Sequence, residues 1–120
     1  MNQDTVCTLV PYFDVPADKV DEFKALGKRF VERTRSEPGC VHYAFSFSGC
    51  TAHCREGYDN AEAILHHLDN VGALLQEALA IAYLIKLEVH APAAEIAKLR
   101  DPLTAMKPQY FVLEEGGIRR

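Results

Sequence analysis

The sequence contains no tryptophan, and its longest wholly apolar stretch runs only from Ala78 to Ile85. A membrane-spanning helix takes roughly 20 apolar residues, so no segment qualifies. Met1-Asn2-Gln3-Asp4 lacks the basic-then-apolar order of a secretory leader, and the expected location is cytoplasmic. Neither Gly-x-Gly-x-x-Gly nor Gly-x4-Gly-Lys-Ser/Thr occurs, which removes the common nucleotide-phosphate loops. The strand-to-helix elbow Gly-x-Ser-x-Gly of serine hydrolases is also missing. Basic charge is short: 13 Lys and Arg stand against 17 Asp and Glu, giving a net charge of −4 and a pI near 5.7. That balance excludes a general nucleic-acid binder, which carries a basic face.

What is present describes one globular unit. The 120 residues are 48% apolar and 25% charged, and they predict a single domain over 1–120. Charge is unevenly spread. Lys19, Lys24, Lys28, Arg29, Arg33 and Arg35 share their segment with nearly as many acids, whereas Asp59, Glu62, Asp69 and Glu77 lie in a stretch without Lys or Arg. The second pattern reads as a solvated acidic helix face. The cysteines are Cys7, Cys40, Cys50 and Cys54. Cys50-x2-His53-Cys54 lacks the paired Cys-x2-Cys or His-x3-His spacing of structural zinc, so free thiols and no metal are expected.

Hydrophobic periodicity switches between two and 3.6 along the chain. Thr5 to Phe13 is rich in β-formers and ends before Pro16. Val20, Phe23, Gly27, Phe30, Val31 and Thr34 then make one helical stripe, closed by Pro38-Gly39. Gly27 lies within that stripe, where a missing side chain lets the helix approach a sheet. Cys40 to Ser48 alternates, with Val41, Tyr43, Phe45 and Phe47 on one side, and Thr51 to Tyr58 returns after Gly49 as its hairpin partner. Asp59 is the expected N-cap of a second helix carrying Ile64, Leu65, Leu68, Val71, Leu75 and Leu79, kinked at Gly72. Ala82 to His90 alternates again, setting Tyr83, Ile85, Leu87 and Val89 against Leu84, Lys86, Glu88 and His90. A short helix from Pro92 to Arg100 and a strand from Gln109 to Glu114 complete the chain.

The order β-α-β-β-α-β predicts an α+β, ferredoxin-like antiparallel sheet with helices on one face. The other sheet face would carry mixed and small residues, among them Leu84, Cys40 and Ala44. A second copy packing sheet to sheet would cover it, so a homodimer is expected.

Three short motifs in sequence point further: Glu37-Pro38-Gly39-Cys40-Val41-His42-Tyr43, Arg55-Glu56-Gly57-Tyr58 and Ala63-Ile64-Leu65-His66-His67-Leu68. In type and order they resemble the antibiotic biosynthesis monooxygenase (ABM) family of dimeric α+β barrels. The resemblance implies a homodimer with a pocket in each subunit between sheet and helices. It also implies oxidation of a small quinol or aromatic phenol by molecular oxygen, with no metal or flavin cofactor. Related proteins degrade haem with an Asn on strand one and a Trp and His on a later helix. This chain has no Trp, and Thr5 to Phe13 has no Asn.

His67 is the candidate catalytic residue. On a helical wheel it flanks the apolar stripe while His66 points away, and a histidine of near-neutral pKa can take a phenolic proton. The plainer reading makes it a boundary histidine bonded to backbone. Tyr43, Phe45, Tyr58, Leu68 and Tyr83 are the candidate substrate-binding residues, aromatic walls that would otherwise be ordinary core. His53 and Arg55 share one strand face, Cys54 and Glu56 the other, and Arg55 with Glu56 or Glu88 reads as an ion pair. His42, Lys86, Glu88 and His90 are expected in the polar part of the dimer interface. The rival function is a non-catalytic module that uses the same barrel to bind a small molecule or a partner protein.

Overall fold

The computed structural model describes residues 2–120. Its strands are β1 (Asn2–Gln3), β2 (Cys7–Asp14), β3 (Cys40–Ser48), β4 (Thr51–Tyr58), β5 (Tyr83–Ala91), β6 (Gln109–Val112) and β7 (Ile118–Arg119). The helices are α1 (Val20–Thr34), α2 (Ala61–Asn70), α3 (Gly72–Ile81) and α4 (Ala93–Leu99). Five strands form one sheet in the order β3-β4-β2-β5-β6, antiparallel except for the parallel β5–β6 pair, and β1 pairs with β7 as a separate ribbon. This is the expected ferredoxin-like α+β order. No helix among the described residues is long and apolar enough to cross a membrane.

The alternation of β2 buries Cys7, Leu9 and Phe13, and that of β4 buries Ala52, Cys54, Glu56 and Tyr58. Those side chains meet the helices in two clusters. Leu9, Ile64, Val89, Ile96 and Leu99 centre one, and Phe13, Phe23, Phe30, Leu74 and Ala78 the other. Gly27 does let α1 close on the sheet: a Cβ there would meet the Phe45 ring at 3.4 Å.

Local expectations are corrected at four places. Asn60, not Asp59, caps α2, its side chain accepting from the Ala63 N–H at 2.9 Å. The expected kink near Gly72 is a full break at Val71 between two helices. The register of β5 on β2 shifts between Tyr12 and Phe13, so Tyr12 faces Lys86 while Phe13 faces Leu84. A bulge resets the alternation: Leu84 turns to the helix side, and Tyr83 and Ile85 stay exposed. A second shift, between Cys40 and His42, leaves Val41 partly exposed as well.

The acidic stretch does not stand alone in solvent. Glu77 binds Arg29 of α1 through two contacts of 2.9 and 3.1 Å, and Glu62 pairs with Lys98.

Candidate functional site

A cavity lies between the inner face of the sheet and α1, α2 and α3, at the seam of the two core clusters. Leu9 and Leu87 come from one cluster, Phe13, Phe23, Phe30 and Val71 from the other. Its volume is about 50 Å³. An apolar cavity that takes up benzene measures roughly 150 Å³, so this one must widen to admit an aromatic molecule. The wall is almost wholly apolar, and Glu56 and His67 are the charged-type side chains that reach it.

These two belong to a buried network that reaches beyond the wall. The turn after α1 carries Glu37 inward, and its carboxylate meets His67 Nδ1 at 2.9 and 3.1 Å. Asn70, one turn along α2 from His67, donates to the same carboxylate at 2.8 Å. On the other side of the ring, His67 Nε2 lies 3.5 Å from Glu56 Oε1. That oxygen accepts the Tyr58 hydroxyl at 2.5 Å. The side chains of Glu37, Glu56 and His67 are each 4% exposed or less. Among the described residues, no buried side-chain nitrogen or oxygen lacks a hydrogen-bond partner.

Burial sets the protonation of the network. Desolvation pushes His67 below its ordinary value, against the pull of Glu37. The ring is therefore neutral at pH 7, and its contact with Glu37 is a hydrogen bond to a carboxylate rather than an ion pair. Glu37 Oε2 already accepts from Asn70, and both of its carboxyl oxygens face Nδ1, so the imidazole proton sits on Nδ1 and the lone pair on Nε2, toward Glu56. Glu56 is fully enclosed, and desolvation raises its pKa to about 8 although Tyr58 and Cys54 hydrogen bonds pull it down. It carries a proton at neutral pH. Burial raises the Cys54, Tyr43 and Tyr58 values strongly, with Glu56 adding to each, so these groups stay neutral.

The site thus offers a base, His67 Nε2 backed by Glu37, beside an acid, Glu56. A neutral imidazole oriented by a carboxylate is the arrangement that accepts a proton without first losing one.

Of the residues singled out in the sequence, the fold brings His67, Tyr43, Phe45 and Leu68 to this cavity. Tyr43 lies with its ring 5.0 Å from the His67 ring. Tyr58 is not on the wall: it is buried behind, reaching Glu56 through its hydroxyl. Tyr83 is 69% exposed, on the far side of the β5 bulge. The plainer view of His67 as bonded to backbone gives way to contacts with two carboxyl groups. Arg55 and Glu56 do not pair, because they leave β4 on opposite faces. On the outer face Lys86 and His90 both contact Glu88, at 2.7 and 3.3 Å, whereas His42 packs over Gly57. Cys50 is exposed and Cys54 buried, while His53 turns outward to accompany Pro11 and stack on Tyr12, so the three do not converge.

Sequence reasoning missed Glu37 and the partnership of Glu56. In sequence Glu37 reads as part of a turn motif, and Glu56 as half of an interface ion pair. One signal was available for Glu56. It shares the apolar phase of β4 with Ala52, Cys54 and Tyr58, and a carboxyl group on a buried strand face needs a partner or a proton.

Comparison with known proteins gives a consistent picture. The family model described as antibiotic biosynthesis monooxygenase matches residues 7–73. The crystal structure of MupZ from Pseudomonas fluorescens superimposes with a TM-score of 0.92 and 45% identity, covering 97% of this chain and 96% of that one. Rv0793 from Mycobacterium tuberculosis shares the fold at a TM-score of 0.65 and 21% identity, covering 73% of this chain and 95% of its own. The Synechocystis protein sll1783 is 55% identical over 31 residues, which span 26% of this chain and only 21% of that protein.

Proposed function

The chain belongs to the antibiotic biosynthesis monooxygenase family, and on that premise we propose that it is an acid–base enzyme acting on a small, largely apolar molecule inside this cavity. The observation that carries the reading is the placement of His67, its Nδ1 held 2.9 Å from Glu37 and its ring on the apolar cavity wall. In the family's setting the substrate is a quinol or aromatic phenol and the oxidant is molecular oxygen. His67 Nε2 takes the phenolic proton, and the anion gives an electron to oxygen against a largely apolar wall. The radical pair joins as a peroxide at a ring carbon. Scission of the O–O bond leaves one oxygen on carbon as a carbonyl, and the other departs as water with the two hydrogens lost from the substrate. The substrate supplies the electrons, so the scheme requires no cofactor. Tyr43, Phe45 and Leu68 would form the substrate-binding wall.

The same reading includes a homodimer in the cytoplasm. Its support is the outer sheet face, where Tyr83 and Ile85 are exposed and His90 stacks on Phe111 at 4.6 Å. Sedimentation equilibrium reads this directly, and a monomer mass at micromolar concentration refutes it.

Oxygen uptake with a panel of quinols and anthrols tests the catalytic reading. Uptake should saturate with substrate and fall about 100-fold or more in His67→Ala. A variant that consumes oxygen as fast as the parent protein removes His67 from the chemistry.

A further inference from the structure

We propose that Glu56 is a second catalytic residue, a proton donor that works with His67 on a redox-neutral reaction at a polarised carbon–oxygen bond. The proposal rests on the reading of His67 as base and extends it to a different substrate class.

Geometry is the first support. Glu56 and His67 are the two charged-type residues on the cavity wall, and Nε2 to Oε1 is 3.5 Å. A base alone suffices to make a phenolate for oxygen. A second carboxyl group inside an apolar cavity is costly, because a buried carboxylate must be paired or neutralised. Among the described residues, no Lys or Arg lines this cavity. The groups facing Glu56 are Cys54 and Tyr58 from its own strand, Tyr43 from β3 and His67 from α2, with Glu37 beyond the ring. No Lys or Arg is among these neighbours, and the enclosed Glu56 carboxyl is held toward its protonated form, its value raised by burial to about 8. A buried, protonated carboxylic acid beside a free imidazole nitrogen is an acid and a base held apart until a substrate enters.

The reaction follows from that pair. His67 Nε2 takes the proton of a hydroxyl group, water or one carried by the substrate. The freed oxygen pair bonds to the electrophilic carbon, and the C–O bond breaks with its electrons on the departing oxygen. Glu56 gives that oxygen its proton. One bond forms, one breaks, and no electrons leave the substrate. The imidazolium then returns a proton to Glu56 across the 3.5 Å contact, which restores the site. An alkoxide is a poor leaving group, so a donor is needed most where the leaving oxygen is an alkoxide. Strained cyclic ethers fit that requirement, and their leaving oxygen stays tethered within the cavity.

Two readouts on the intact protein test the proposal. Infrared spectra at pH 7 should contain a carboxylic-acid carbonyl band that is lost in Glu56→Gln and kept in Glu37→Gln. With styrene oxide under nitrogen, diol formation should saturate, and Glu56→Gln should lower kcat about 100-fold with KM little changed. Absence of the band, or a Glu56→Gln variant that matches the parent rate, overturns the proposal. Loss of turnover in His67→Ala with Glu56→Gln unaffected refutes the donor while sparing the base. Turnover unchanged in His67→Ala refutes the base itself.

Discussion

Glu56 and His66 show how little a residue's type says until its direction is known. His66 and His67 are neighbours on α2, yet His67 is buried against two carboxyl groups while its neighbour is exposed. Tyr58 supplies the finest control on the acid, because its hydroxyl is the strongest of the contacts that hold the Glu56 value down. Tyr58→Phe should lift the Glu56 pKa above about 8, read by carbon NMR titration of labelled glutamate. It should also cost about 1–3 kcal/mol, since a buried acceptor loses its donor. A Glu56 titration unmoved by the change contradicts the assigned hydrogen bond. Glu37 was illegible in sequence for a related reason. It sits in a turn, outside any periodic pattern, and only the packing of that turn on α2 sends its side chain to His67.

At the scale of elements, alternation made the bounds of β3 and β4 readable, and the helical stripe did the same for α1. The bulges were not readable. A one-residue shift in β5 changes the face of Tyr83, Leu84 and Ile85 without altering composition, so strict alternation puts Tyr83 in the cavity and Leu84 on the opposite face. The junction between the Glu37 turn and α2 is the element contact on which the site depends. A Cβ at Gly39 would lie 2.6 Å from the Ala63 Cβ, and both atoms are anchored directly to backbone. Gly39→Ala should therefore push the turn off α2 and destabilise the fold by about 1–3 kcal/mol in denaturant unfolding. The Arg29–Glu77 pair between α1 and α3 is exposed on both sides. Its removal should cost less than about 1 kcal/mol. A Gly39→Ala change milder than Glu77→Ala would mean that the turn and α2 are free to separate.

For the whole molecule, the buried acid leaves a mark on stability against pH. The folded Glu56 value, about 8, lies above the ordinary 4.5. The folded state thus binds the proton that the unfolded state has already released, and stability is lost as pH rises toward 8. His67 works the other way, its lowered value adding stability as pH rises toward 6.5. Above pH 6.5 the His67 effect fades and the Glu56 effect dominates, with a slope of at most about 1.4 kcal/mol per pH unit. Thiols with raised values act only above their ordinary 9.0, stability falling from there to about 12 for Cys7 and about 11 for Cys40. Denaturant melts should show this fall in the parent protein and a flatter profile in Glu56→Gln. Equal slopes in the two would place the proton elsewhere.

On this reading His67 waits inside the cavity as a neutral, directed imidazole at physiological pH. Nitrogen NMR of histidine-labelled protein observes it without any substrate. At pH 7, His67 should show a protonated Nδ1 and an unprotonated Nε2, and Glu37→Gln should weaken that preference. A doubly protonated ring at pH 7, or a proton on Nε2, would overturn the assignment of His67 as the base.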